Sequence, residues 1–359
     1  MKLRVSIGLL LSLIFIYLSF WKPDISGLLS GETGLFSAFW GQTRIDLKGL
    51  GVALSKAHYG YVILGITLLL LSLFSRAQRW RIMIKPVYAE IRYWPVYSAM
   101  NIGYMINNIL PLRMGEILRA YFLGKAEKIS KTSVLATIVV ERLLDSTAIL
   151  ILLSVTLFFF PFPDWIRNGL FYIGSAAVFL IAFLLGLLFA TDWTIGILRT
   201  VLKPIPQRIS HKIIRMVEGF ASGLEVMRSS RHYAAILMHT VLLEACYILS
   251  VLFTLLAFDL ISPDYPAIDA NPLLASIVLL IIITIGIGLP SAPGAVGTFH
   301  GIVALGVSLF GVSAEASMGL AIVLHLANYI PLTVLGLVCF WTQQFKLSEI
   351  KEQFQKGET

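Results

Sequence analysis

The sequence predicts an all-α polytopic membrane protein with about six full spans and two re-entrant helical hairpins in an inverted repeat. Three observations lead there. The chain is 57% hydrophobic and only 13% charged, where soluble domains carry about 25% charged residues; its mean hydropathy is +0.84. Apolar runs long enough to cross a bilayer, about 20 residues each, recur along its 359 residues. Two further apolar stretches are interrupted by proline and glycine. This composition excludes a soluble enzyme with a charged surface, and it excludes a disordered chain. Residues 1–359 read as a single membrane domain with pseudo-repeat halves at 1–163 and 164–345 and a short cytoplasmic tail at 346–359.

The first span runs from Val5 to Trp21 behind Lys2 and Arg4. Its flanks are those of a signal peptide, but Ser19-Phe20-Trp21-Lys22 is a poor cleavage site, so an uncleaved anchor is expected. The second runs from Ala57 to Ser75, and the others are Thr132–Phe160, Asn168–Thr191, Tyr233–Phe258 and Ala316–Thr342. The stretch Pro95–Leu112 differs: it holds Asn101, Asn107, Asn108 and Pro111 and ends in Arg113-Met114-Gly115-Glu116. Leu273–Val312 is broken by Leu289-Pro290-Ser291-Ala292-Pro293-Gly294. Lipid cannot satisfy backbone groups freed at such breaks, which survive only inside protein or beside water. Each stretch is therefore expected to be a helix, a break and a second short helix. Pro111 and Gly115 mark the first break; Pro290, Pro293, Gly294 and Gly297 mark the second.

Charge sets direction. The net charge is +8, from 28 Lys and Arg against 20 Asp and Glu. In a lipid-embedded chain this excess points to cytoplasmic loops facing anionic head groups, not to nucleic acid. Residues 76–92 carry five basic residues, 113–131 five and 192–232 seven, so all three intervals are assigned to the cytoplasm together with both termini. Asp259, Asp264 and Asp269 form a connector without basic residues, which suits the outside. The first hairpin then enters from the cytoplasm and the second from outside. The pattern L-P-x-x-x-G begins at both Leu110 and Leu289, 179 residues apart, and each half has the order span, span, hairpin, span. An odd number of crossings inverts the second half, and converging broken helices of this kind are the build of secondary transporters. Ile209, Ile213, Val217, Phe220, Leu224 and Met227 recur every three or four residues with charges between them, an amphipathic interfacial helix. Cys246 and Cys339 lie in apolar runs and read as core residues.

Ionisable groups at membrane depth need a partner or a cavity. Arg113, Glu116 and Arg119 follow the first break at spacings of three and share a helical face. They read either as an ordinary helix-end charge pair or as a receptor for a lipid phosphate, with Glu116 holding the arginine fork. Glu141, Arg142 and Asp145 lie inside the third full span. Two carboxylates four residues apart need a cation or a shared proton, so they form either a buried ionic latch or part of a binding site. Both readings bring the two clusters together. Asn107 and Asn108 at the first break join them as candidate binding residues. Glu244, inside a span, and His300, after the second break, are secondary candidates, each with an ordinary core role as the alternative; His325 is a core histidine. No metal-ligand spacing, Walker loop or nucleophile elbow is present, and no cofactor is implied.

Asn108-Ile109-Leu110-Pro111-Leu112-Arg113-Met114-Gly115-Glu116, with Arg119 after it, resembles the N-x-L-P-x-R-x-G-E-x-x-R signature of the flippase-like family, the transmembrane region of lysylphosphatidylglycerol synthases and their stand-alone relatives. Glu141-Arg142-Leu143-Leu144-Asp145 resembles its E-R-x-x-D motif, and Pro290 to Phe299 resembles its P-x-x-P-G-x-x-G-x-x-E element. His300 stands in this chain where that element has glutamate, so the role of that acid does not carry over. The resemblance implies a multi-pass protein of the cytoplasmic (inner) membrane that moves a lipid between leaflets: a phospholipid, an aminoacyl-phospholipid or a polyprenyl-phosphate-linked lipid. A glycosyltransferase or lipid-modifying enzyme is the implied protein partner. The chain ends soon after its last span, so synthesis of lysyl-phosphatidylglycerol by this chain is not expected. The favoured reading is a lipid flippase that is not an enzyme, with Arg113, Arg119 and Arg142 on the phosphate. The alternatives are a non-transporting accessory of a lipid or glycan pathway and a membrane transferase or phosphatase acting on lipid phosphate.

Overall fold

The computed structural model describes residues 2–86, 88–110, 114–160, 162, 164–207, 209–211, 213–215, 217–218, 221, 233–288 and 291–343. Pro111, Arg113, Pro290 and the tail 346–359, singled out above, lie outside the described residues, as does much of the amphipathic stretch 204–231. The described residues are helical with one isolated bridge between Trp21 and Thr43.

Helix α1 spans Lys2–Phe20, and three short helices follow: α2 Ile25–Ser30, α3 Leu35–Trp40 and α4 Leu47–Lys56. Side-chain caps start two of the short ones. Asp24 accepts from the Gly27 N–H to start α2, and Asp46 accepts from Lys48 and Gly49 to start α4. The long helices are α5 (Tyr59–Ile84), α8 (Lys131–Phe159), α9 (Asp164–Phe189), α11 (Tyr233–Ala257) and α15 (Ala314–Thr342). Between them lie α6 (Tyr93–Ile109), α7 (Gly115–Ala126), α10 (Thr191–Val201), α12 (Pro266–Asp269), α13 (Pro272–Ile287) and α14 (Thr298–Ser308). Ser130, Asn271 and Ser313 cap α8, α13 and α15 through side-chain oxygens. Helices α5, α11 and α15 are long and apolar enough to cross a membrane by length and composition. The chain is an α-helical, multi-pass membrane protein.

Two departures from the sequence reading stand out. Helix α5 does not end near Ser75 but continues to Ile84. The second arm of the first broken stretch lies beyond Leu112, as α7, in place of splitting Pro95–Leu112 itself.

The chain divides into two compact units, each discontinuous in sequence. The first comprises Met1–Ser72, Asn101–Leu118 and Ala245–Thr359. Within it α14 packs against α1, α13 and α15, and α4 packs against α15. The second comprises Leu73–Met100 and Arg119–Glu244. Here α9 packs against α8 and α10, and Ile213, Ile214 and Val217 join Leu187, Ile195 and Leu202 in an apolar cluster.

Candidate functional site

The second unit contains a buried network of charges. Arg76 and Arg79 are three residues apart on α5 and share a face. Around them Ala77, Trp80, Met83 and Ile84 are almost fully buried, so the apolar surface of α5 carries on past its arginines. Sequence reasoning missed this pair because charges usually end a span. The available signal was the apolar run Trp80, Ile82, Met83 and Ile84 interleaved with them.

The partners come from α8. Glu141 is wholly buried and accepts from Arg76 Nε at 3.0 Å, Arg119 Nη2 at 2.7 Å and Arg142 Nη2 at 3.1 Å, with Arg79 Nη2 at 3.7 Å. Asp145, one turn further on, accepts from Arg76 Nη2 and from Arg79 Nη2 at 2.5 Å, with Arg142 Nη1 at 3.6 Å. Arg79 Nη1 donates to the Thr240 hydroxyl of α11 at 3.0 Å, and that hydroxyl donates to the Ile236 carbonyl at 2.9 Å. The Arg119 guanidinium sits 4.7 Å from the Trp80 ring centroid, and Trp80 Nε1 donates to Thr137 at 3.0 Å. On α11, His239 Nδ1 is 2.8 Å from the Ser75 hydroxyl.

Two properties of this network matter chemically. First, four guanidinium groups gather around the carboxylates of Glu141 and Asp145. Second, it has a depth gradient. The side chains of Glu141, Arg79 and Arg119 are 0%, 1% and 3% exposed, that of Asp145 21% and that of Arg142 40%. Glu141 is the closed end and Arg142 the open one. Among the described residues no group of three or more His, Cys, Asp or Glu side chains could hold a metal ion.

The first unit holds the two helix breaks. At the first, the Asn107 side chain accepts from the Gly115 N–H at 2.8 Å, so the end of α6 caps the start of α7. A Cβ at Gly115 would meet that carboxamide at 2.6 Å, which leaves room only for glycine. At the second, Pro293–Ala295 form a 3-10 turn before α14, with φ +66° at Gly294 and +84° at Gly297, a region glycine enters without penalty. The Ala292 N–H donates to Ser12 Oγ at 2.8 Å, Ser12 Oγ lies 3.1 Å from Thr298 Oγ1, and His325 Nε2 donates to the Gly294 carbonyl at 2.8 Å. His300 Nδ1 accepts from the Gly297 N–H at 3.3 Å. Asn108 Nδ2 donates to Thr333 Oγ1 at 2.9 Å and to the Tyr329 carbonyl at 3.3 Å. The two breaks adjoin: a Cβ on Gly294 would stand 3.1 Å from the Asn108 carbonyl oxygen.

Residues 5–336 match the family model described as the lysylphosphatidylglycerol synthase TM region. The chain belongs to this family. A UPF0104 membrane protein of Methanothermobacter thermautotrophicus is 26% identical over 303 residues, covering 79% of this chain and 86% of the relative. A UPF0104 membrane protein of Methanocaldococcus jannaschii is 27% identical over 308 residues, covering 82% and 88%. No solved structure matches.

In this member of the lysylphosphatidylglycerol synthase TM-region family, the candidate residues fall into two groups. Arg119, Glu141, Arg142 and Asp145 come together in the second unit, joined by Arg76 and Arg79. Asn107, Asn108, Gly115, Pro293, Gly294, Gly297 and His300 belong to the first unit with Glu116, and Glu244 belongs to the second. The two signature motifs that carry Arg119 and Glu141 are thus in contact through one ion pair.

Proposed function

We propose that this protein is a lipid carrier of the cytoplasmic membrane that moves a phosphate-bearing lipid between leaflets, without hydrolysing ATP and without chemically altering its cargo. The observation that carries the reading is the gathering of four arginine guanidiniums inside the second unit, from the closed end at Arg79 and Arg119 to Arg142, 40% exposed at the open end. Grouping guanidiniums at depth is costly, and a cluster that runs from a buried end to an exposed one favours a site that an anion enters. Guanidinium forks match phosphate oxygens in geometry as well as charge. Glu141, whose oxygens are both already engaged, acts as the latch that holds the arginines. Arg142, the most exposed of the four, meets the head group first.

The helix lengths support an inverted-repeat carrier. Helices α6 and α7 have 17 and 12 residues, α13 and α14 have 16 and 11. At about 1.5 Å per residue none reaches the roughly 30 Å needed to cross the hydrocarbon core. Each pair is read as a re-entrant hairpin, the first entering from the cytoplasm and the second from outside, with both termini cytoplasmic. The adjacency of Asn108 and Gly294 fits tips that meet inside the bilayer.

The deciding experiment is mass spectrometry of the lipids that co-purify with the wild type and with Arg142→Ala. A phosphate-bearing lipid enriched over the bulk membrane should accompany the wild type and fall about tenfold in the variant, as loss of one charged hydrogen bond implies. Lipid profiles that mirror the bulk membrane in both samples overturn the carrier reading.

A further inference from the structure

The charge network accounts for Glu141 and Asp145, each with both oxygens engaged by guanidinium groups. It does not account for Glu244. This residue lies on α11 one turn beyond Thr240, the hydroxyl that receives Arg79. It is partly buried, and its Oε2 is enclosed without a hydrogen-bond partner among the described residues. The charged groups that act on it are Asp145 of α8 and Arg76 and Arg79 of α5. On its own helix the nearest titratable side chain toward the network is His239, whose Nδ1 is taken by Ser75. Glu244 is therefore a carboxyl beside the arginines but outside their forks, held by their field and not by a direct bond.

The geometry points to Glu244 as a proton carrier that loads when an anionic head group enters the arginine cluster. This rests on the carrier reading above and adds its energy coupling. With the site empty, the field of Arg76 and Arg79 favours the charged carboxylate, against burial and the like charge of Asp145. A phosphate that binds the guanidinium groups neutralises their field and adds a like charge nearby, which favours protonation of the carboxylate. A proton from solvent then bonds to the Glu244 carboxylate, giving the neutral acid. One phosphodiester charge and one proton enter together, and the site gains no net charge. On release of the lipid the arginine field returns and the O–H bond breaks, delivering the proton to water on the side of release. A proton gradient then supplies the drive that a carrier without ATPase parts requires.

Binding of dioctanoyl phosphatidylglycerol to the full-length protein in detergent, measured calorimetrically in two buffers of different ionisation enthalpy, tests this. The wild type should take up protons with the lipid, up to about one each, and Glu244→Gln, fixed in the neutral form, should take up none and bind at least as tightly as the wild type. Should Glu244→Gln fail to fold, the wild type alone decides: its affinity should strengthen as pH falls, by up to about tenfold per unit. Binding without proton uptake, uptake that persists in Glu244→Gln, or an affinity flat with pH overturns the inference and leaves the arginine site standing. Absence of binding to the wild type overturns the site and the inference with it.

Discussion

The two units solve the same problem, polar groups in a lipid-embedded chain, by opposite means. In the second unit charge meets charge: Arg76, Arg79, Arg119 and Arg142 surround Glu141 and Asp145. In the first unit the groups at the two helix breaks are neutral. Ser12 serves the Ala292 N–H, His325 the Gly294 carbonyl, and Asn107 the Gly115 N–H. A balanced set of neutral hydrogen bonds holds a backbone in place and asks for nothing more. A cluster of like charges that opens at Arg142 is, on the proposed carrier reading, what a head group would meet.

Removal of Glu141 breaks the comparison most severely. Glu141→Gln leaves four arginines facing Asp145 alone, and the loss of one partner in a buried ionic network costs about 3–5 kcal/mol. Thermal unfolding in detergent, followed by intrinsic fluorescence, should register the largest fall of any substitution considered. A variant as stable as the wild type would remove Glu141 from its role as latch.

Gly294→Ala tests the neutral side. A left-handed φ costs an L-residue about 1–2 kcal/mol, and the new Cβ would lie 2.5 Å from Tyr329 Cε2. The protein should unfold at lower temperature, yet less so than Glu141→Gln. Unlike Arg142→Ala, it should keep its enriched lipid. Loss of that lipid in Gly294→Ala would show that the break takes part in binding.

The smallest effect belongs to Asp24, a carboxylate that also uses backbone donors. The Gly27 N–H, then the Ser26 hydroxyl, hold its pKa below the usual 3.8. A carboxylate depressed in the folded state stabilises that state above its unfolded pKa, and the contribution fades as pH drops below 3.8 through the folded value. Asp24→Asn should therefore speed amide exchange in α2 near neutral pH and converge with the wild type in strong acid. An equal difference at both pH values would assign the effect to something other than the charge.

Much of the fold was legible from the residues. The long helices α1, α5, α8, α9, α11 and α15 begin within a few residues of the expected spans, because apolar length is a local property that lipid selects for. The breaks were legible too, since proline and glycine act on their own backbone. The candidate site was half legible. Glu141, Arg142 and Asp145 stand out as charges in an apolar helix. Arg76 and Arg79 do not, because their run of basic residues has the look of a cytoplasmic loop. Only the carboxylates of α8, more than 60 residues away in sequence, turn them into interior groups.

The sequence by itself determined that this chain lives in a membrane, where its helices run and where they break, because composition, apolar length and backbone chemistry are written residue by residue. The tertiary structure decided which charges are inside and which partners they meet. Those are properties of distance between segments remote in the chain. An arginine's environment is made by the helices that fold around it.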